Sequence, residues 1–539
     1  MPFDSKSKEW PIAVHLTLLA VFAVGMVGLW MLPVILAGYP FLISSILPEA
    51  REFAAIGLVP ASSSRLSTLI VWMVGHRIGW DHAVLWTLLS ALAMGAALIP
   101  WWLTVRKLFD VQTAWIATVV FALMPTYWLL ALRLDGYSFA FFFLFCAFAF
   151  FAYLYPVHRI TALVLSGLGF GAALGARDAF IAFIPWLLTA YLWHDRKRWL
   201  VASMEIAIFC AFAYGAFVAP LIPHAMQPNL STLQRLEIFL PSLAHGTPGT
   251  GHLYPDNYTY QFLKSDVDLQ IAEQTASASF IERQRDENYR VIFGIGEVSV
   301  LDRAINSVWL FINALPEYFS MEIIGGALLW IFILPGALVF RRRRPGLFAE
   351  IIGLWLSMEV ILRFILRFHR SHLMDVGWAL ALFAALGVVS LADTARVRRT
   401  GLLAAGITFC IALQFVQVNR KQFAEFYRSS ATPQIYAASE ALRVIPEDAV
   451  VAHPRRRDLF SLVDHKKVTI HPDTLDLLRK RGEVAAPFRY YHVTHIIGYD
   501  AERTKQILGA APWLKQIAIP EAALPEVTPL MQYILHTVR

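Results

Sequence analysis

Apolar residues fill long stretches of this chain, and the breaks between those stretches are short and often basic. The first run follows Lys6 and Lys8 and extends to about Ala37, too long for a signal-peptide core and without an evident cleavage site, so it reads as a retained first transmembrane helix. Later runs predict spans at about 83–103, 111–132, 136–155, 160–176, 179–194, 199–221, 321–340, 347–367, 373–391 and 400–419, about eleven in all. After Val418 the pattern changes. Apolar segments shrink to strand length at 449–452, 468–470 and 495–497, accompanied by helical patterns at about 433–444 and 473–481. The expected fold class is therefore a polytopic α-helical membrane protein with a carboxyl-terminal α/β domain outside the membrane.

Composition supports this reading. Of 539 residues, 57% are hydrophobic and only 16% charged, which excludes an ordinary soluble globular chain. The net charge of +7 raises the question of nucleic acid, but Lys and Arg occur in short clusters between apolar runs, a topological signal rather than a binding stripe. Nucleic acid is excluded as a partner. Cys146, Cys210 and Cys410 all sit within apolar runs and offer neither metal-ligand spacing nor a disulfide framework.

Lys6/Lys8, Arg106-Lys107, Arg159, Arg196 to Arg198, Arg341 to Arg344 and Arg396/Arg398/Arg399 fall on alternate connections, so one face receives every dense basic cluster. That face is read as cytoplasmic, in an inner membrane, with the amino terminus. The opposite, extracytoplasmic face then carries the loop with Glu49 and Glu52, Arg133/Asp135, Arg177/Asp178, the long segment from about 223 to 319, and the carboxyl terminus. The chain divides into a membrane module at 1–221, an outer segment at 222–320, further transmembrane helices at 321–419 and the α/β domain at 420–539. Within the outer segment, 266–289 reads as helical and 307–315 as an interfacial helix too short to span. Arg455 to Arg457 and the histidines of the last domain could contact lipid head groups or an anionic acceptor, but read more readily as a solvated face.

Four stretches carry candidate chemistry. Pro48-Glu49-Ala50-Arg51-Glu52 places two acids at i and i+3 just after the first span, which points both the same way on a helical turn, although a solvated loop would also hold them. Arg133-Leu134-Asp135-Gly136 sets a carboxylate at the start of a Phe-rich span, where ionisable groups serve function or cap a helix. Gly167 to Gly171 precedes Gly175-Ala176-Arg177-Asp178, and these glycines indicate close helix packing rather than phosphate cradling. Glu359, Arg363, Arg367 and Arg370 recur on one helical face, where arginines are costly in lipid unless they meet an anion.

The order and sidedness of these residues resemble the GT-C superfamily of glycosyltransferases that use lipid-linked sugars, including protein O-mannosyltransferases and aminoarabinose transferases of lipid A. The resemblance covers about 10–221 and, more weakly, 340–391. The family's first outer loop opens with an Asp-Glu pair. Pro48 replaces the Asp here, leaving Glu49 or Glu52 as the catalytic carboxylate, with Glu49 favoured. Asp135 resembles the family's second acid, a catalytic residue that would position the acceptor or share the base's role; Gly175-Ala176-Arg177 resembles its Gly-rich turn, and the stretch from Arg367 through His369 and Arg370 to His372 its Arg-plus-His motif. The resemblance implies transfer of a sugar from a polyprenyl-phosphate donor to the hydroxyl of an extracytoplasmic lipid, polysaccharide or protein, with inversion. Arg133, Arg177, Arg363, Arg367 and Arg370, with His369 and His372, would bind substrate. No metal or other cofactor is assigned, since isolated Glu and Asp define no site.

Two other classes fit the composition. A transporter or flippase of a lipid-linked or anionic solute would also place charges in an outer cavity, but it predicts internal repeats and broken helices near the midplane, whereas no repeat is evident and the acids cluster at one surface. A structural or sensory subunit would rely on its last domain. In a background lacking Cys146, Cys210 and Cys410, an impermeant thiol reagent applied outside is expected to label a cysteine introduced at position 480 and not one at 343. The reverse pattern would invert the whole topology.

Overall fold

The computed structural model describes residues 11–37, 46–47, 50, 65–79, 83–194, 196–222, 312, 315–326, 329–364, 374–395, 400–429, 439–454, 465–470 and 472–518. The helices are α1 (Ile12–Ala37), α2 (Arg65–Ile78), α3 (Ala83–Leu108), α4 (Val111–Leu123), α5 (Pro125–Leu132), α6 (Tyr137–Leu154), α7 (Arg159–Ala176), α8 (Ile184–His194) and α9 (Trp199–Val218). Later in the chain come α10 (Trp330–Arg343), α11 (Pro345–Phe364), α12 (Met374–Thr394) and α13 (Thr400–Ser429). Among the described residues seven helices are long and apolar enough to cross a membrane, and the pair α4–α5 makes an eighth if its halves are one span. The other expected runs are α8, α10 and α11.

The run expected as one span at 111–132 is broken. Its halves meet at 61°, because Pro125 has no N–H to continue the α-helical ladder and Met124 before it takes an extended conformation (φ −55°, ψ 131°). Carbonyls near such a break need new partners in an apolar bundle. The Trp30 indole donates to the Ala122 carbonyl at 3.1 Å, and the fully buried Asn419 amide donates to the Leu123 carbonyl at 3.1 Å. Thus α1 and α13 are locked onto the kink. The run expected at 179–194 is likewise divided, into a 3-10 segment at Asp178–Phe183 and an eleven-residue α8. The run expected at 321–340 is divided too: Gly325 and Gly326 adopt positive φ, and the helix proper starts at Trp330. The amphipathic α2 was not anticipated.

Small residues set the closest helix approaches. Gly167 and Gly171 face α9: a Cβ at Gly167 would lie 2.6 Å from the Phe209 carbonyl oxygen, and one at Gly171 would overlap the Ala213 backbone. This is the close packing expected of small residues four apart. Gly336 and Gly387 do the same between α10 and α12, each facing the other helix's backbone at Phe383 or Phe332. Between these contacts Trp101, Phe121 and Phe145 form an aromatic centre, with Trp101 and Phe145 ring centroids 5.0 Å apart.

The last domain is a parallel sheet with strand order β2-β1-β3-β4, formed by β1 (Val450–His453), β2 (Lys466–Thr469), β3 (His495–Ile497) and β4 (Lys515–Ile517). Crossover helices α14 (Pro472–Arg481), α15 (Ala486–Tyr490) and α16 (Ala501–Ala510) connect the later strands, as parallel pairing requires. Asp500 caps α16, accepting the Arg503 amide at 2.8 Å and the Arg503 guanidinium at 2.6 Å, which holds its carboxyl below the ordinary range. The three strands expected from sequence are present and β4 is additional. The preceding helix α13 runs on to Ser429, past the boundary expected at about 420.

Gly171→Ala is expected to lower thermal stability of the solubilised protein by about 1–3 kcal/mol through overpacking against α9. Gly215→Ala on α9, with open space around it, serves as the control and should leave the melting temperature unchanged. Equal melting of both would show that the α7–α9 contact is not tightly packed.

Candidate functional site

The turn from Arg133 to Gly136 joins α5 to α6 and is anchored from α3. Ser90 lies within hydrogen-bond distance of the Ser138 hydroxyl (2.9 Å) and donates to the Arg133 carbonyl (3.1 Å), while Ser138 donates to the Leu130 carbonyl (3.1 Å). Gly136 closes the turn with φ of +91°, a conformation that side chains disfavour. The result is a fixed position for Asp135, which is only 7% exposed.

Three groups address that carboxyl. Arg133 Nε lies 3.2 Å from Oδ2, the Tyr137 amide donates to Oδ1 at 3.3 Å, and Arg177 contributes a second positive charge. Burial raises the Asp135 pKa above the ordinary carboxylate value, and the two arginines and backbone amides oppose the rise without cancelling it. Arg177 stands at the end of α7, its amide bonded to the Ala173 carbonyl at 2.8 Å, and its guanidinium lies 4.6 Å from the centre of the Tyr137 ring. Burial works to lower its pKa, but Tyr137, Asp135 and Asp178 outweigh that and hold it firmly protonated.

The neighbouring helix α2 extends the cluster. Ser67 donates to the Ala176 carbonyl at 3.2 Å, which sets the first turn of α2 against the end of α7. Arg65 there loses basicity through burial, partly restored by Asp178, and its guanidinium lies 5.5 Å from the Phe217 ring centre. The 3-10 segment that starts at Asp178 and the first turn of α8 then pack on α11: Ser357 donates to the Ala182 carbonyl at 2.6 Å and the Trp186 indole to Glu350 at 3.0 Å. Further along α11, the Tyr318 hydroxyl donates to Glu359 and accepts from the Trp355 indole at 3.1 Å.

Of the residues singled out from sequence, Arg133, Asp135 and Arg177 therefore come together, with Asp178 beside them. Glu49 and Glu52 lie outside the described residues, although Ile46, Leu47 and Ala50 around the former are buried in the main core. Arg363 is one turn after Glu359 on α11, and its side chain, like Arg367, His369, Arg370 and His372, lies outside the described set. Arg65 and Tyr137 were not anticipated as site residues. Three serines at 62–64 ahead of an apolar helical pattern signal a helix start at Arg65, while nothing in sequence marks Tyr137 apart from other aromatics. Among the described residues no group of three or more His, Cys, Asp or Glu is placed to hold a metal ion. What the cluster offers is a carboxyl and several cationic donors at one end of the bundle, suited to hydroxyls and anionic oxygens.

No protein-family model and no curated relative matches the chain. Solved structures do. ArnT from Cupriavidus metallidurans in the apo state is 13% identical, with a TM-score of 0.53 over 89% of this chain and 89% of that one. The archaeal oligosaccharyltransferase AglB from Archaeoglobus fulgidus, in complex with an inhibitory peptide and a dolichol-phosphate, is 13% identical, with a TM-score of 0.50 over 94% of this chain and 72% of that one. A structure of the Archaeoglobus fulgidus oligosaccharyltransferase with Zn and sulfate is 14% identical at a TM-score of 0.45 over 84% of this chain, which spans only 62% of that one's length. Shared order and placement of helices over nearly the whole of this chain and of ArnT carry the conclusion: the protein has the GT-C fold.

Proposed function

We propose that this protein is an integral-membrane glycosyltransferase that moves a sugar from a polyprenyl-phosphate carrier to an acceptor hydroxyl on the extracytoplasmic side of the inner membrane, with inversion at the anomeric carbon. The observation that carries the reading is the buried Asp135 carboxyl held between Arg133 and Arg177 at one end of a GT-C bundle. The AglB complex that shares this fold holds a dolichol-phosphate and a peptide, which supports a lipid-phosphate donor and a separate acceptor here.

In this mechanism Glu49 accepts the acceptor's hydroxyl proton as its oxygen bonds to C1 of the sugar. The bond from C1 to the carrier phosphate breaks, and the phosphate leaves with the electron pair. Arg363, Arg367 and Arg370, with His369 and His372, stabilise the charge that develops on it. Asp135 and Arg177 position the acceptor, and Glu52 is the alternative base. The cost of bringing ionised groups to a membrane edge explains why the carboxyl is flanked by guanidiniums rather than left alone.

Mass spectrometry of envelope lipids, polysaccharides and proteins with and without the gene is expected to reveal one missing sugar modification, and an unchanged inventory would sink the proposal. With that product as the assay, Glu49→Gln should lower turnover by about 10²–10⁴-fold. Full loss in Glu52→Gln with normal turnover in Glu49→Gln would transfer the role.

Asp135→Asn tests positioning through pH. Because the folded protein binds this proton more tightly than the unfolded chain, the carboxyl's effect favours folding at low pH and fades as pH rises through the raised pKa. Activity that needs the carboxylate should instead fall as pH drops through that same value, above the ordinary carboxylate range. The Asn variant should lose this acid limb, and an identical limb would remove Asp135 from the mechanism.

For donor binding, Arg367→Ala and Arg370→Ala should each weaken binding of polyprenyl phosphate alone by about 1.5–3 kcal/mol. Unchanged affinity in both would leave the arginine series a purely structural feature.

A further inference from the structure

Far from the Asp135 turn, the other end of the bundle gathers a second charged surface. Phe109, just after α3, packs edge-on against Phe340 of α10 with ring centroids 5.0 Å apart. Phe340 is fully buried and also meets Phe348 and Phe383, each 5.8 Å away. This contact pins together two helix ends that are distant in sequence. Arg106 and Lys107 close α3, and Arg341, Arg342 and Arg343 close α10, with Arg344 capping it.

The placement of these six cations is specific. Arg344 lies 5.8 Å from the centre of the Phe109 ring, directly linking the two ends, while Arg106 lies over Trp102 at 5.6 Å and Lys107 over Tyr153 at 5.3 Å. Lys107 and Arg341 to Arg344 are exposed. The nearby acid Asp110 is occupied in capping α4, accepting the Thr113 amide at 2.7 Å and its hydroxyl at 2.9 Å. Glu350, one further turn along α11, accepts from Trp186. Among the described residues none of the six cations forms an ion pair with a carboxylate. Each helix carboxyl end offsets only about half a charge, so a surplus of positive charge is concentrated here.

An apolar feature leads into it. On α10, Ile331, Leu334 and Leu338 are each more than half exposed and recur at three and four residues, so they form one outward stripe. The next positions on that stripe are Arg341 and Arg342. Acyl chain below and anion above is the form this surface complements. A count of basic residues per loop, which sets topology, explains neither the joining of two basic ends through Phe109 nor this alignment.

We propose that the ends of α3 and α10 bind an anionic phospholipid bearing two phosphates, its chains along Ile331, Leu334 and Leu338 and its head group among Arg106, Lys107, Arg341, Arg342 and Arg344. Basic pockets between membrane helices recognise such head groups. Two phosphates match the surplus better than one. The site is separate from the Asp135 cluster, because Ser90, which anchors that turn, precedes Lys107 by about 25 Å along α3.

The full chain, reconstituted in nanodiscs of neutral phosphatidylcholine doped with diphosphatidylglycerol, would be released and weighed by native mass spectrometry. One retained diphosphatidylglycerol per chain is expected, in preference to phosphatidylglycerol at equal phosphate content. Arg341→Gln/Arg344→Gln and Arg106→Gln/Lys107→Gln, each leaving four of the six charges to preserve orientation, should weaken retention by roughly 10- to 30-fold. Leu338→Asn should weaken it as well, while Lys480→Gln/Arg481→Gln in the last domain should not. Thermal melting confirms that each variant is folded. Equal retention by the wild type and both charge variants would overturn the proposal. So would binding of inorganic pyrophosphate alone that displaces the lipid at comparable concentration, because the anion would then be a soluble phosphate compound.

Discussion

A backbone carbonyl left without a donor inside an apolar bundle costs several kcal/mol, and the break at Met124–Pro125 creates that demand in the middle of the molecule. Trp30 from α1 and Asn419 from α13 meet it. Two helices at opposite ends of the membrane sequence are thereby tied to one kink. The same kink redirects α5 by 61°, which sets where the Arg133–Gly136 turn emerges and where its carboxyl stands. A straight helix from 111 to 132 would carry that turn elsewhere.

From there the constraint passes through short polar contacts embedded in close packing. Ser90 and Ser138 hold the turn, Arg177 joins it to the end of α7, and the segment after Asp178 reaches α11 through Ser357 and Trp186. Gly353 lies where α11 approaches the Trp186 ring, leaving no room for a side chain. Glycines on α7, α10 and α12 bring backbones near enough for dispersion to act where lipid provides no hydrophobic gradient between helices. The acid cluster and α11 are thus linked through one set of contacts.

At the opposite end the same economy of contacts serves another purpose. One aromatic pair, Phe109 and Phe340, converts two ordinary basic helix ends into a single cationic surface beside an apolar stripe. Arg106 and Lys107 rest on aromatic faces and, among the described residues, form no ion pair with a carboxylate.

By itself the sequence determined the class of solvent and the coarse order of elements. Runs of apolar residues with basic breaks permit nothing but a membrane bundle, and strand-length runs after Val418 mark a separate small sheet. It also singled out Arg133, Asp135 and Arg177, because ionisable residues between apolar runs are rare and expensive. Only tertiary structure decided that these three converge, since Asp135 and Arg177 are brought together by turns and packing that no local pattern encodes. Arg65 and Tyr137 escaped notice for the same reason: a single arginine after a serine cluster and one aromatic in a Phe-rich run acquire meaning from neighbours distant in sequence. The split of 111–132 depended on whether partners existed for the carbonyls at Pro125, and those partners, Trp30 and Asn419, come from helices that composition places in the membrane but not beside the kink.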